Sequence, residues 1–482
     1  MGLFWKRIVI LTFLFGAIFG IYFYERSRHS DYAESIRYLT VNRKQKADYD
    51  ALFDDANFKS VTVIFTETGF QELLGKMQDH MDLYGDYQDN TMHKVSIRYS
   101  DGLGNDFTVN EVGFRTRSNT SRNLPMTIDY LDRKIYHQTS FQLQFDATFD
   151  YADNSNAYQI LNGREVFDVD QLNFEYQKLF ESEYDQAMIT EDYAYSLYQE
   201  AGVITANSSY GLVYFQIGSL VVPFGLYTII ETIDNEFLKK HFDGNIIGDY
   251  GDLYKATDID IPATLGTDCL DSIGIDDESQ AVHYSFTLKN NTLDGTRQIF
   301  DPLENLIESL NNPDLAKETL SGLVDVDGFL RFLAMDFLIG NTDEYRYNAN
   351  NYYLYFQVYD HQAVLIPFDL DNVLGFGKHK DLSGDHGVYY PLFAATDSEA
   401  VLVEKVLAFP EYRELYLGYI EEFNQELFAF SAFEAAFQNA KNLYETILQS
   451  ENHLGNQVFD LRNSEWYFTA KHDNVESLLM QP

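Results

Sequence analysis

Residues 325–377 read DVDGFLRFLAMDFLIGNTDEYRYNANNYYLYFQVYDHQAVLIPFDLDNVLGFG, and this stretch decides how the rest of the chain is read. An amphipathic segment, Phe329 to Leu338, predicts a helix that stops at Gly340. A polar loop with Asp343, Asn348, Asn350 and Asn351 follows. The alternating aromatic run Tyr352 to Val358, the turn Asp360-His361 and the apolar run Ala363 to Pro367 predict a short hairpin. Its second strand runs into Asp369-Leu370-Asp371-Asn372, so two acidic loops lie at the ends of one hairpin. Carboxylates and amide oxygens held on rigid strands are what a divalent cation bound to phosphate requires. A polar loop followed by an Asx-type turn accounts for the same residues without any ligand.

The chain has 482 residues, 45% hydrophobic and 16% aromatic, enough for a substantial core. Its 34 Lys+Arg against 75 Asp+Glu give a net charge of −41. Such a surface repels nucleic acid and anionic lipid, so neither is expected to bind the body of the protein. The single cysteine, Cys269, excludes an internal disulfide and a CxxC metal site. Lys6 and Arg7 precede an apolar run, Ile8 to Tyr24, of 17 residues (24 − 8 + 1). At about 1.5 Å per residue it is just long enough to cross a bilayer. The bulky exit Ile21-Tyr22-Phe23-Tyr24 favours an uncleaved signal anchor over a cleaved signal. The expectation is a single-pass membrane helix at 1–24, a stalk at 25–58 and a body on the extracytoplasmic side of the cell membrane.

The body starts near Ser60. Val61 to Phe65 reads as a strand, and a helix carrying Phe70, Leu73, Leu74 and Met77 follows. His93 to Tyr99, Asp106 to Val109, Val112 to Arg117 and Ser140 to Phe145 read as strands. Arg115, Arg117 and Arg122 put three arginines within eight residues of an acidic protein, beside small residues whose amides can meet phosphate. A solvated strand end explains them equally well. A helix over Gln186 to Ala201 ends at Gly202, and a hairpin spans Ser209 to Ile217 and Leu220 to Ile230. Lys255 lies in a short strand, Asp252 to Ala256. Residues 258–280 are acidic and irregular and read as an exposed linker or insertion; beyond them the pattern is mainly helical. The boundaries are a strand-rich region at 59–257 and a helix-rich region at 281–482, an α+β arrangement of two lobes.

P-loop, dinucleotide-binding and GxSxG motifs are absent from the sequence. An EF-hand starting at Asp369 fails, because Leu374 stands where glycine is needed and Lys380 where glutamate is needed.

Several segments, in order, resemble the spore-coat-protein-H (CotH) family of atypical kinase-like proteins over roughly residues 60–450. They are Val112-Gly113-Phe114-Arg115-Thr116-Arg117-Ser118-Asn119-Thr120-Ser121, the helix end Glu200-Ala201-Gly202, Gly225 to Asp234 with Phe237-Leu238, and Leu253-Tyr254-Lys255-Ala256. Gly340-Asn341-Thr342-Asp343, Asn351 to Tyr355, Ile366-Pro367-Phe368-Asp369-Leu370-Asp371 and Phe409 to Tyr416 complete the series. The resemblance implies a two-lobed atypical protein-kinase-like fold, strand-rich then helix-rich. It also implies ATP with Mg²⁺ or Mn²⁺ as cofactors, and Ser/Thr of surface or coat proteins as phosphate acceptor. On that reading Asp343 is the catalytic Asp, the carboxylate that orients the nucleophile. Asn348 or Asn351, with Asp369 and its rival Asp371, holds metal. Arg115, Arg117 and Lys255 face phosphate, with Glu231 paired to one of them. Arg117 stands where the family has lysine, Ser118 where it has glycine, and Phe368 where it has tryptophan. An inactive cell-surface protein of the same fold, stabilised by calcium, would use the same carboxylates without nucleotide.

Overall fold

The computed structural model describes residues 49–104, 106–118, 122–176, 187–242, 251–257, 261–275, 283–290, 300–375, 387–393, 400–461 and 464–480. The expected signal anchor, and the stalk as far as residue 48, lie outside the described residues. Among the described residues no helix is long and apolar enough to cross a membrane.

Seven strands close into a barrel. β1 (Ser60–Phe65), β2 (His93–Ser100), β3 (Asp106–Thr116), β6 (Phe141–Gln144), β7 (Gln171–Tyr176), β9 (Leu220–Glu231) and β8 (Ser208–Ile217) follow one another around it. Every neighbouring pair is antiparallel except β1 and β8, whose parallel register runs from Ser60 opposite Leu212 to Phe65 opposite Ile217. That pair removes the sheet's last free edges. Two runs expected as separate strands, 106–109 and 112–117, form the single strand β3. The register slips opposite Val95–Ile97 and Glu111 takes φ 56, a bulge that re-aims the strand without ending it. The helix Glu67–Tyr84 starts where the sequence indicates, with the Thr66 side chain accepting from the Gly69 amide, and it lays Phe70, Leu73 and Met77 on the barrel core. A separate hairpin, β4 (Met126–Ile128) and β5 (Lys134–Tyr136), leaves the barrel after β3.

Aromatic side chains fill the barrel. Phe141 stacks on Phe174 at 4.6 Å between ring centres, and Phe215 stacks on Phe224 at 3.8 Å and also meets Phe65, Phe114 and Phe141. This cluster is distinct from a larger one built by the helices and a second sheet.

The second sheet has the order β11 (Ile273–Gly274), β12 (Phe286–Leu288), β10 (Leu253–Ala256), β13 (Tyr352–Phe356) and β14 (Ala363–Pro367). The predicted hairpin is β13–β14, in register from Tyr352 opposite Pro367 to Phe356 opposite Ala363. The strand carrying Lys255 joins this sheet and not the strand-rich region in which the sequence placed it: Lys255 lies beside Tyr353 on one side and Thr287 on the other. The helix Val326–Ile339 packs on β14, the helix Pro410–Glu426 packs on that helix and on Val401–Leu407 and Ser464–Leu479, and Phe430–Ser450 reaches the barrel strand β9.

The described part of the expected acidic insertion, 261–275, is built into the helical core. Ala263, Leu265 and Cys269 are buried, and the Tyr345 hydroxyl donates to the Thr264 carbonyl at 3.0 Å. The apolar residues scattered among its acids decide its placement. Residues 49–58, expected as stalk, also pack on the body, with Leu52 buried and the Ser209 hydroxyl donating to Asp55 at 2.7 Å. Tyr444 ties the helical part to the barrel, accepting from the Lys59 amide at 2.9 Å and donating to the Tyr210 carbonyl at 3.1 Å.

Phe215→Ala removes the ring at the centre of the barrel's aromatic cluster. It should cost about 3–5 kcal/mol, read as a lower urea midpoint with an unchanged slope.

Candidate active site

The helix Val326–Ile339 is capped by the Asp325 side chain and ends at Gly340, whose φ of 65 reverses the chain. Asn341 then bridges backwards and forwards: its Nδ2 donates to Asp336 at 3.1 Å and its Oδ1 accepts from the Asp343 amide at 3.1 Å. Asp336 is buried and also accepts from the Tyr198 hydroxyl; burial and the nearby Glu344 hold it well above the usual carboxylate range. The short helix Tyr345–Asn348 returns the Asn348 amide to the Asp343 carboxylate. Asn351 Nδ2 donates to the Asp343 carbonyl at 2.9 Å. From the other loop, Asn372 Nδ2 reaches Asp343 Oδ2 at 3.5 Å and also donates to Asp371. The hairpin therefore brings Asp343, Asn348, Asn351 and Asp371 together.

Asp369 begins the second loop with φ 58, its amide donating to the Tyr195 hydroxyl at 3.2 Å. Ala349, Asn351 and Leu374 also hold left-handed φ values of 54, 56 and 54. Non-glycine residues in that region cost of order 1–3 kcal/mol each and persist where the surroundings enforce them.

Cations from other elements lie near Asp369. Just past β3, the Arg117 guanidinium pairs with Glu175 at 2.7 Å and lies 5.4 Å from the Phe368 ring centre. Lys255 Nζ lies 5.1 Å from the same ring centre. Arg115 is held by Asn90 at 2.7 Å and Gln142 at 2.9 Å, close enough for its charge to act on Lys255 and Tyr353. Burial, then the neighbouring Lys289 and Arg117, push the Lys255 ammonium down to about 7, with Asp369 opposing. Ser118, where the family pattern has glycine, takes φ 119, a conformation that glycine adopts without strain. Residues 119–121 of that loop lie outside the described residues.

Glu231 does not join this group, which corrects the expected pairing. At the end of β9 it faces the helix Asn235–His241, pairs with His241 at 2.8 Å and accepts from the Asn207 amide at 3.2 Å. The acids beside Arg117 are Glu175 on β7 and Glu191 in the first turn of the helix Thr190–Glu200. Glu191 is buried with Oε1 unsatisfied; desolvation, then Glu175, Asp369 and Asp371, hold it well above the usual carboxylate range. Sequence reading missed Glu175, Glu191 and Tyr195. The available signal was an acidic pair, Glu191-Asp192, opening a helix that is buried almost all round.

A family model described as "CotH kinase protein" matches residues 130–472. The chain belongs to the CotH kinase family. The matched span holds Glu175, Glu191, Lys255 and both acidic loops, whereas Arg115 and Arg117 precede it. No curated protein matches. Among solved structures the chain is similar to the crystal structure of a Helicobacter pylori proinflammatory kinase, CtkA, at 10% identity and a TM-score of 0.23. That alignment covers 64% of this chain and 92% of the other, and a likeness at that level assigns no residue.

Kinases of this kind imply a divalent cation and a nucleotide. Asn348 Oδ1 and Asn372 Oδ1 are buried and unsatisfied beside the Asp343 and Asp371 carboxylates, so acceptor oxygens are in place for a hard cation. Among the described residues no three His, Cys, Asp or Glu side chains gather as a metal cluster, so amide oxygens and ligand phosphate would have to complete the shell.

The Lys255 environment makes anion binding proton-linked. An arriving phosphate favours the ammonium, so above about pH 7 binding must take up a proton. Affinity for metal-free inorganic triphosphate should therefore fall as pH rises from about 6 to about 9. Lys255→Met should flatten that dependence, read by titration calorimetry in buffers of different ionisation enthalpy.

Proposed function

We propose that the protein is a metal-dependent atypical kinase that transfers the γ-phosphate of ATP to Ser or Thr of surface or coat proteins. It would be held at the cell membrane by residues 1–24 with its bulk outside the cytoplasm. The observation that carries the reading is the hairpin end. There Asp343 is gripped by Asn348 and Asn372 while Asp369, beyond the hairpin's second strand, lies among Arg117 and Lys255. Amide oxygens and carboxylates that can hold a cation, next to cations that can meet phosphate, divide the work of phosphoryl transfer, which is positioning and charge neutralisation.

In this reading Asp343 orients the acceptor hydroxyl and takes its proton. Asp369 and Asp371, with Asn348 and Asn351, hold Mg²⁺ or Mn²⁺, which would neutralise phosphate charge. Arg115, Arg117 and Lys255 face the phosphate oxygens, Arg117 with a flat fork suited to two of them. The barrel and the helix-rich region act as the two lobes of a kinase-like fold. Glu191 and Glu175 keep Arg117 in place and are positioning residues.

The alternative is an inactive surface protein of the same fold. The Arg117–Glu175 ion pair favours it, because an arginine already neutralised binds phosphate less strongly. Full-length protein with labelled ATP and Mg²⁺ or Mn²⁺ separates the two. Transfer is expected, falling about 10²–10⁴-fold in Asp343→Ala. Asp369→Ala should also abolish the metal-dependent thermal shift given by ATP. Neither transfer nor a nucleotide-dependent shift in the unmutated protein would sink the kinase reading, and a shift with Ca²⁺ alone would support the inactive one.

A further inference from the structure

The β4–β5 hairpin carries a feature that the kinase reading does not use. Four large apolar side chains, Ile128, Tyr130, Leu131 and Ile135, stand in solvent within eight residues (135 − 128 + 1). Tyr130 is 91% exposed, Ile128 63% and Leu131 55%. The other exposed apolar side chains are spread singly or in pairs along the described chain.

The turn that presents them is fully built. The Asp129 carboxylate accepts from the Leu131 amide at 2.8 Å, the Arg133 amide at 2.9 Å and the Arg133 guanidinium at 2.7 and 2.8 Å. Asp129 and Arg133 also exchange a backbone bond at 3.0 Å, and Asp132 closes the loop at φ 59. The base is equally anchored: Met126 is buried, Tyr136 packs on the barrel core and Gln138 donates to the Phe224 carbonyl at 2.7 Å. A rigid stem thus carries an apolar tip that contributes nothing to the core. An ordered turn with a tyrosine and a leucine at its apex is a feature that folding alone does not require.

We infer that this hairpin tip inserts into the interfacial layer of a lipid bilayer. Three observations select lipid. A three-residue apex offers too little area for a stable protein interface, which needs roughly 1,200 Å² or more in total. A bilayer, in contrast, accepts a convex wedge without a matching pocket. Tyrosine with leucine and isoleucine is the combination favoured at the boundary between headgroups and acyl chains, and Arg133 and Lys134 stand beside it, where headgroup phosphates would lie. The chain also has an apolar run at Ile8–Tyr24, and residues 25–48 between it and the body are long enough to let the hairpin reach the same membrane. A weak wedge becomes effective when tethered. The chain's net charge of −41 opposes anionic lipid, so zwitterionic membranes are preferred.

The test uses full-length protein, Trp5→Phe and Trp466→Phe, with Tyr130→Trp as reporter and Tyr359→Trp, at an exposed turn elsewhere, as control. Each is mixed with phosphatidylcholine vesicles, with and without brominated acyl chains and with and without phosphatidylglycerol. The expected result is a blue-shifted emission that brominated lipid quenches for Tyr130→Trp and not for Tyr359→Trp, weaker with phosphatidylglycerol. Adding Leu131→Asp and Ile128→Asp should lower vesicle-dependent quenching at least about tenfold. If emission is unchanged while the protein floats with the vesicles, the tip does not insert and the inference fails. A shift that depends on protein concentration without lipid would overturn it in favour of a contact between two copies. Leu131→Trp repeats the measurement should Tyr130→Trp fold poorly.

Discussion

The Phe368 amide donates to the Asn351 carbonyl at 3.0 Å, one residue beyond the last pair of the β13–β14 ladder, and the candidate site depends on that bond. It fixes how far the two strands run before they part. Asn351 and the residue after Phe368, Asp369, both switch to left-handed φ, 56 and 58, so both chains turn away at the same level. The Asp343 loop and the Asp369 loop are thus made neighbours by sheet register, and Asn372, donating to Asp343 at 3.5 Å, joins them. A one-residue slip would send Asp369 to the other face and separate them.

Charge is the second constraint. Glu175, Glu191, Asp369 and Asp371 lie close enough to act on one another in a partly buried space. Two devices keep this tolerable. Glu191 is held above the usual carboxylate range by burial and its acidic neighbours, and Arg117 is enclosed by the acids rather than reaching out to solvent. Removing the Arg117 charge would leave buried carboxylates without a counter-ion, which costs more than the pair itself contributes. The same holds on a smaller scale for buried Arg346, set beside Glu344 and over the Tyr390 ring.

What could be read from the sequence divides along local and non-local lines. The helix start at Thr66, the helix stop at Gly340 and the hairpin at 352–367 rest on capping and on a two-residue period, which a few neighbouring residues specify. The gathering of Asp343 with Asn348 and Asn351 was legible for the same reason. Closure of the barrel was not, because the β1–β8 pair joins residues about 150 apart in sequence, and no local pattern encodes it. Lys255 shows the same limit: its strand looks like any other, and only pairing with Tyr353 assigns it to the second sheet. Glu231 was matched to a cation by analogy of order, whereas its side chain is claimed by His241 ten residues later. Glu175 and Glu191 carried no motif, since their role arises from three segments meeting. The acidic composition of 258–280 concealed a few apolar residues that decide the burial of its described part, 261–275.

Phe368 is where these lines converge. Its ring centre lies 5.4 Å from Arg117, which follows the barrel strand β3, and 5.1 Å from Lys255, which comes from the five-stranded sheet. An aromatic face tolerates nearby cations through its quadrupole but does not neutralise them. Burial above all, then Lys289, Arg117 and Arg115, pushes that lysine down to about 7, with Asp369 opposing. Beside Asp343 and Asp371, two amide oxygens, Asn348 Oδ1 and Asn372 Oδ1, are buried and accept no hydrogen bond. On the proposed kinase reading, a ligand carrying phosphate and a hard cation together would meet the cations and the amide oxygens at once, and the two sets of groups are supplied by different parts of the fold.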